Sequence, residues 1–301
     1  MRYGFVGLGN LGFHLASSLR RGGFDLTVTD LSRAAAEPLL AEGARWAADA
    51  RSLAAGCDAV FTCLPNPKAS QAVVAQLAEG FRPGSVWIEM STTGQAEIAA
   101  AAALLKEKGV ETLECPVTGG VHRAAAGKIT LLLGGDKAAF ERLEPALKVM
   151  GGEILHMGPL GSAAVIKVIT NMLAFIHLVA DGEALMLAKR GGLDLGQAWR
   201  AIKASSGNSF VHETEGQLIL NGSYDIAFTN ALAQKDLGFA LDFGRKFGVP
   251  LKLAGLVEQI FQEATAVYGK EAQSTQVVKL LEDALGTDLR APGFPARLDP
   301  A

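Results

Sequence analysis

The segment Gly7-Leu8-Gly9-Asn10-Leu11-Gly12 follows an apolar β-type run, Tyr3 to Val6, and opens a helical pattern. The next β-type run, Leu26 to Thr29, is followed at once by Asp30, 18 residues after Gly12. A lone GxGxxG says little, but strand, glycines, helix and a second strand closing on an acid are the full context of a dinucleotide-binding turn. In that reading Gly7 permits the tight turn, Gly9 lets the backbone approach a pyrophosphate, and Gly12 allows close packing of helix on strand. Leu8, Asn10 and Leu11 fill the turn, and the helix N-terminus supplies amide donors and a favourable dipole to the phosphates. Asp30 is placed to accept hydrogen bonds from an adenosine ribose diol, and its charge would repel a 2′-phosphate, so NAD is favoured and NADP is the alternative. Arg33 is either a solvated residue of the next helix or a guanidinium that stacks on adenine or meets a phosphate.

The rest of the first half keeps the same alternation. Further β-rich runs are expected at Ala59 to Cys63, Val86 to Met90, Glu111 to Cys115, Ile129 to Leu133 and Glu153 to Met157. Between them lie helical segments such as Ala35 to Ala41, Ser70 to Glu79, Ala96 to Lys106 and Phe140 to Met150. Strand and helix in alternation imply a mostly parallel sheet covered on both faces. Beyond Gly161 only helical periods remain, broken at Gly191-Gly192, Ser205 to Asn208, Asn221-Gly222 and Gly248 to Pro250. The expected fold is therefore α/β: a Rossmann-type dinucleotide-binding domain over residues 1–160, then an all-helical domain over 161–301 that begins with a long interdomain helix. The tail from Gly286, with Pro292, Pro295 and Pro300, is short of periodic apolar residues and is expected to fray.

Composition narrows the class. A formal net charge of −3 offers no basic surplus to recruit nucleic acid or an anionic membrane, so small soluble partners are expected. Cys57, Cys63 and Cys115 are too few and too scattered for a disulfide framework, and no Cys/His spacing suggests a metal; Cys63 and Cys115 fall at strand ends near the proposed cofactor and substrate, but each reads better as a small buried hydrophobe. The start Met-Arg-Tyr-Gly-Phe-Val enters a strand without the pattern of a signal peptide, which leads to the expectation of a cytoplasmic protein. The most apolar long segment, Ala163 to Leu187, is interrupted by Lys167, Asn171, His177, Asp181 and Glu183, so it is expected to be a helix buried on most sides rather than a membrane span.

Lys167 and Asn171 stand four apart in that segment and so share one helix face. An ammonium among Ala, Val and Ile must be paired, reach water, or serve chemistry as a lysine of lowered pKa. Two loops, Leu64-Pro65-Asn66 and Met90-Ser91-Thr92, follow strand ends that should face the dinucleotide crevice, where Asn66 and Ser91 either bind ribose or nicotinamide or cap helices. Cys115-Pro-Val-Thr118-Gly119-Gly120 closes a strand with a hydroxyl and two glycines, either a plain turn or a small anion nest.

Six ordered motifs then carry a resemblance: Gly4 to Gly12, Glu89-Met-Ser-Thr92, Pro116 to Gly120, the Lys167 to Asn171 pair, Ser205-Ser-Gly207 and Lys235-Asp236-Leu237. Through almost its whole length the chain resembles the β-hydroxyacid dehydrogenase family, which includes 3-hydroxyisobutyrate dehydrogenase, tartronate semialdehyde reductase and relatives of 6-phosphogluconate dehydrogenase. The resemblance implies that Lys167 is the catalytic lysine and that Asn171 orients substrate. It implies too that Thr118-Gly119-Gly120 hold the substrate carboxylate, that Lys235 closes over cofactor and substrate, and that the protein forms dimers or tetramers. Long apolar helices at Met172 to Leu187 and Leu253 to Ala266 lead to the same expectation of a homo-oligomer.

Several positions depart from the family's usual pattern. Thr118 stands where serine is commoner, Thr170 replaces the first of two adjacent asparagines, and Ala163 replaces a glycine. At Val121-His122-Arg123 the family more often has small residues and a glycine; Arg123 is either a surface residue or reads a second anion on the substrate. The expected reaction moves hydride between a nicotinamide cofactor and a small anionic β-hydroxy acid or its semialdehyde, with Lys167 exchanging the hydroxyl proton. The rivals are an imine reductase on the same fold, a class that usually lacks the lysine, and a non-catalytic dinucleotide-binding protein, which would have no reason to keep Lys167, Asn171 and the Thr118 loop together.

Overall fold

The computed structural model describes residues 1–299. Their Cα packing divides the chain into two compact units, with the division between Lys167 and Val168.

The first unit contains β1 (Arg2–Val6), α1 (Gly12–Arg21), β2 (Asp25–Thr29), α2 (Arg33–Ala41), β3 (Arg45–Trp46), α3 (Ala50–Gly56), β4 (Ala59–Thr62) and α4 (Pro67–Gly80). It continues through β5 (Val86–Glu89), α5 (Gln95–Lys106), β6 (Glu111–Glu114), β7 (Val117–Thr118), α6 (Gly120–Ala125), β8 (Ile129–Gly135), α7 (Lys137–Met150) and β9 (Gly151–Gly158). Strands β3, β2, β1, β4, β5 and β6 lie side by side in that order, all parallel, and β8 adds antiparallel to β6 and β7 and parallel to β9. Strand order reverses between β1 and β4, so the loops leaving those strands flank the crevice where a doubly wound sheet takes its ligand.

The strands are apolar on both faces because helices cover both. Successive residues alternate sides: Ala59 and Phe61 of β4 and Val86 and Ile88 of β5 pack with Leu15, Leu39 and Leu147, while Val60 and Trp87 pack with Leu53, Leu77 and Leu105. Local chemistry sets helix starts. Asn66 accepts a hydrogen bond from Ala69 N at 2.9 Å with Pro67 at the first helical position of α4, and Asp49 and Ser52 form a reciprocal capping box on α3.

Helix α8 (Ser162–Arg190) crosses the division, and the second unit adds α9 (Leu195–Lys203), α10 (Phe210–Asn221), α11 (Asn230–Phe247), α12 (Lys252–Tyr268) and α13 (Lys279–Leu285). Its core gathers Phe175, Leu178, Leu185, Val211, Ile219, Leu237 and Phe261. Helix α8 is long and apolar enough to cross a membrane by length and composition only; a third of its most apolar window is buried, and Ile169, Leu173 and Leu187 are exposed. The expectation of burial on most sides therefore fails for this chain alone, because its own helices leave part of the apolar surface of α8 uncovered.

As far as Asp299 the tail also differs from expectation, while Pro300 lies outside the described residues. Leu289 is fully buried, its N–H donates to Glu282 Oε1 at 2.7 Å, Ala291 N–H donates to Leu220 O at 3.0 Å, and Asn221 Nδ2 donates to Phe294 O at 2.8 Å. A few apolar residues suffice here because backbone pairing to the end of α10 holds them in place.

Candidate active site

The Gly7–Gly12 turn leaves β1 and enters α1, and its three glycines are needed for different reasons. A Cβ on Gly7, whose φ is +95°, would lie 2.2 Å from Cys63 O, and one on Gly12 would lie 2.0 Å from Gly7 O. Those two glycines are required by the protein's own packing. At Gly9, among the described residues and beyond its two chain neighbours, no heavy atom lies within 4 Å of where a Cβ would stand. Gly9 and Asn10 are exposed, and among the described residues no side chain caps α1, whose N-cap is Leu11. Open space before uncapped helix amides fits a pyrophosphate.

Asp30 is half-buried and braces this turn: Oδ2 accepts from Leu8 N at 2.6 Å and Oδ1 from Ser32 N at 2.8 Å. A carboxylate has about four acceptor positions, so capacity remains for a ribose diol. Arg33 lies 3.6 Å from Glu37 with its guanidinium 5.7 Å above the Trp46 ring, which is the solvated helix position anticipated as one of its two readings.

The structure joins the next two loops through Glu89, which the sequence placed in a family motif without giving it a role. Glu89, 1% exposed at the end of β5, accepts at Oε1 from Ser91 N at 2.9 Å, Ser91 Oγ at 2.5 Å and Thr62 Oγ1 at 3.0 Å, and at Oε2 from Ser70 Oγ. Ser91 Oγ in turn accepts from Leu64 N at 2.7 Å. The Leu64-Pro65-Asn66 and Ser91-Thr92 loops are thus tied to one buried carboxyl, whose pKa burial raises even though these hydrogen bonds oppose it. Asn66 spends its Oδ1 on the α4 cap, and Pro65 is exposed beside it. The signal in the sequence was a lone acid closing the apolar run Val86-Trp-Ile-Glu89.

A second such acid closes β6. Glu114 is 1% exposed and accepts from Gly161 N at 2.6 Å and Ala163 N at 2.8 Å on Oε1 and from Ala164 N at 3.0 Å on Oε2, at the start of α8. Burial raises its pKa against those three bonds. Beyond Glu114, burial also pushes Cys115 up, and it pushes Cys63 up to about 12, so both remain thiols at neutral pH.

Thr118 and Gly119 are half-buried, and Gly119 and Gly120 take φ of +120° and +87° as the chain turns from β7 into α6. Arg123 folds back over this turn: its Cδ lies 3.1 Å from where a Gly119 Cβ would be, and the His122 ring lies 3.0 Å from the same position on Gly120. Burial, and then the Arg123 charge, lower the His122 pKa, so the ring is neutral at pH 7. Lys167 is 7% exposed in the second turn of α8.

In the second unit Asn171 Nδ2 donates to Asp236 Oδ2 at 2.6 Å, and Lys235 Nζ donates to Asp236 Oδ1 at 2.6 Å while lying 5.3 Å from the Phe239 ring. Asp236 is 1% exposed. The sequence placed Asn171 and Lys235 in the site but gave Asp236 no role, because adjacent opposite charges in a helix are commonplace.

Residues 2–158 match the model of the NAD binding domain of 6-phosphogluconate dehydrogenase, and residues 161–281 match that of the NAD-binding region of NADP-dependent 3-hydroxyisobutyrate dehydrogenase. The chain belongs to the β-hydroxyacid dehydrogenase family. It is an oxidoreductase that uses a nicotinamide dinucleotide. Among its relatives is a 2-(hydroxymethyl)glutarate dehydrogenase of Eubacterium barkeri, 31% identical over 96% of this chain and 97% of that protein. A 3-hydroxyisobutyrate dehydrogenase structure from Salmonella typhimurium superposes with a TM-score of 0.87 at 31% identity, covering 93% of this chain and 99% of that one. An imine reductase from Streptomyces aurantiacus superposes with a TM-score of 0.60 at 21% identity, over 93% of this chain and 99% of that one, a likeness that extends to the fold alone.

Proposed function

We propose that this family member interconverts a small anionic β-hydroxy acid and its semialdehyde or keto acid, with Lys167 as general acid and base. The observation that carries this reading is a lysine only 7% exposed between the buried Ala163, Ala164 and Val168, one helical turn before Asn171. Gly7 to Gly12, Asp30 and the two loops tied to Glu89 would hold the dinucleotide. When bound, that cofactor supplies the hydride acceptor for oxidation and the hydride donor for reduction.

The chain's own residues do the rest. Lys167 Nζ takes the hydroxyl proton of the alcohol in its amine form and returns a proton to the carbonyl oxygen in its ammonium form. Because a carboxylate only accepts, Asp236 fixes which end of the Asn171 amide faces it, and Asn171 then positions the reacting oxygen. Thr118 with the Gly119 and Gly120 amides holds the substrate carboxylate, and Arg123, folded over Gly119, adds affinity for a second anion. A relative whose name specifies a substituted glutarate, a dicarboxylic acid, supports that preference. Lys235, oriented by Asp236, contacts cofactor. Lys167 favours this reading over an imine reductase.

NAD is the preferred cofactor, since Asp30 lies beside the turn while Arg33 is directed to Glu37 and Trp46. The protein works in the cytoplasm, away from membranes and nucleic acid, as a homodimer or homotetramer. Exposed Ile169, Leu173, Leu253 and Leu256 on α8 and α12 support the assembly, and a sedimentation mass of one chain at micromolar concentration would refute it. A panel of short hydroxy acids and semialdehydes, followed by NADH absorbance at neutral and alkaline pH, tests the activity. Turnover of none of them sinks the substrate class.

A further inference from the structure

The first amides of a helix need acceptors, and an N-cap side chain commonly provides one. At the start of α8 that position is Gly161, which has no side chain to offer. Glu114, 47 residues earlier, takes over the role and accepts from three amides at once. The backbone opposite is shaped for it. Gly134 of β8 is the register partner of Glu114, and a Cβ there would lie 2.2 Å from Glu114 Oε1.

What distinguishes this from an ordinary cap is where its two ends lead. Glu114 is the last residue of β6, four residues before Thr118, so its backbone fixes the entry to the Thr118-Gly119-Gly120 turn. Its side chain grips the turn of α8 on which Lys167 stands, since Lys167 follows Ala163 by four residues and Ala164 by three and is its helical neighbour on both counts. One side chain therefore joins the segment that would hold the substrate carboxylate to the turn that carries the acid/base group. A displacement of about 1 Å between such groups is enough to slow a reaction roughly a hundredfold.

We propose that Glu114 is a positioning residue that sets Lys167 against the Thr118-Gly119-Gly120 turn, an inference that rests on Lys167 being the acid/base. Glu114→Gln keeps the volume but turns an amide NH2 toward one of the three N–H donors. Gly134→Ala leaves the carboxylate in the chain and pushes it off its seat. Each variant is assayed per NADH-binding site, counted by fluorescence titration, beside Lys167→Ala. Both should lower kcat by roughly ten- to a hundredfold, a partial loss of the orientation effect. The NADH Kd should stay within about twofold, because the cofactor turn is untouched. The deuterium isotope effect on kcat, with substrate labelled at the carbinol carbon, should rise as the chemical step becomes limiting. Lowered melting temperatures with wild-type kcat and isotope effect per site, in both variants, would reduce Glu114 to a structural cap. If Lys167→Ala itself keeps its turnover, the acid/base reading fails first, and a loss confined to the Glu114 and Gly134 variants would have to come from elsewhere.

Discussion

Asn171 and Asp236 are joined by a 2.6 Å hydrogen bond from the amide nitrogen to Oδ2, and the other carboxylate oxygen takes the ammonium of Lys235 at the same distance. One buried acid thus sets the orientation of two residues that the family resemblance assigns to substrate and cofactor. Asp236→Asn retains a single acceptor oxygen and cannot serve both donors. Losing a charge-assisted hydrogen bond costs about 1.5 to 3 kcal/mol, so kcat/KM should fall by roughly tenfold or more while the fold survives. Steady-state kinetics with circular dichroism decides this, and an unchanged kcat/KM would return Asp236 to a packing role.

Cofactor preference should follow Asp30. With both dinucleotides under one set of conditions, kcat/KM should be higher with NAD, and Asp30→Ala should narrow the gap while weakening both, because it also removes the brace on Leu8 N. A higher kcat/KM with NADP in the unaltered enzyme would show that neighbours such as Arg33 govern the ribose pocket.

Sequence pattern carried most of this architecture. The mostly parallel sheet follows from alternating elements and a glycine turn, both of which are local signals, and the helical second unit follows from the loss of strand periods after Gly161, whereas the 3-2-1-4-5-6 strand order comes from the pairing in three dimensions. The bracing roles of Glu89, which stood in a family motif, and of Glu114 were illegible because their partners are backbone amides and hydroxyls as far as 50 residues away, and no local period records them. Asn66 and Ser91 were legible as loop residues, but only three-dimensional contacts show their oxygens engaged in the α4 cap and with Glu89. The two-residue strands β3 and β7 are too short to leave a periodic trace.

Arg123 should discriminate between substrates. Removing one partner of a charge-assisted pair in a partly desolvated site costs about 2 to 5 kcal/mol, whereas a solvated arginine costs almost nothing. Arg123→Ala should therefore raise KM much more for a dianion such as 2-(hydroxymethyl)glutarate than for a monoanion such as 3-hydroxyisobutyrate. Equal, small changes for the two would assign Arg123 to the surface.

Glu215 offers a test of stability. Burial, and then the carboxylate of Asp181, raise its pKa from 4.5 to about 8. Between those values the folded chain holds a proton that the unfolded chain has lost, so stability falls as pH rises through this window. Neutral at every pH, Glu215→Gln should match the unaltered protein near pH 5 and melt at a higher temperature near pH 9. A difference in melting temperature that stays constant with pH would mean that the carboxyl ionises as freely in the folded chain as in the unfolded one.

Lys167 moves the proton in the proposed reaction, and the turnover of Lys167→Ala on the best substrate, measured together with its affinity for NADH, decides the point. Loss of a general acid/base lowers kcat by roughly two to four orders of magnitude, and NADH affinity should stay near wild type because the Gly7–Gly12 turn and Asp30 are unchanged. A variant that keeps more than about a tenth of wild-type turnover, well above that range, would rule Lys167 out and move the acid/base role to another group.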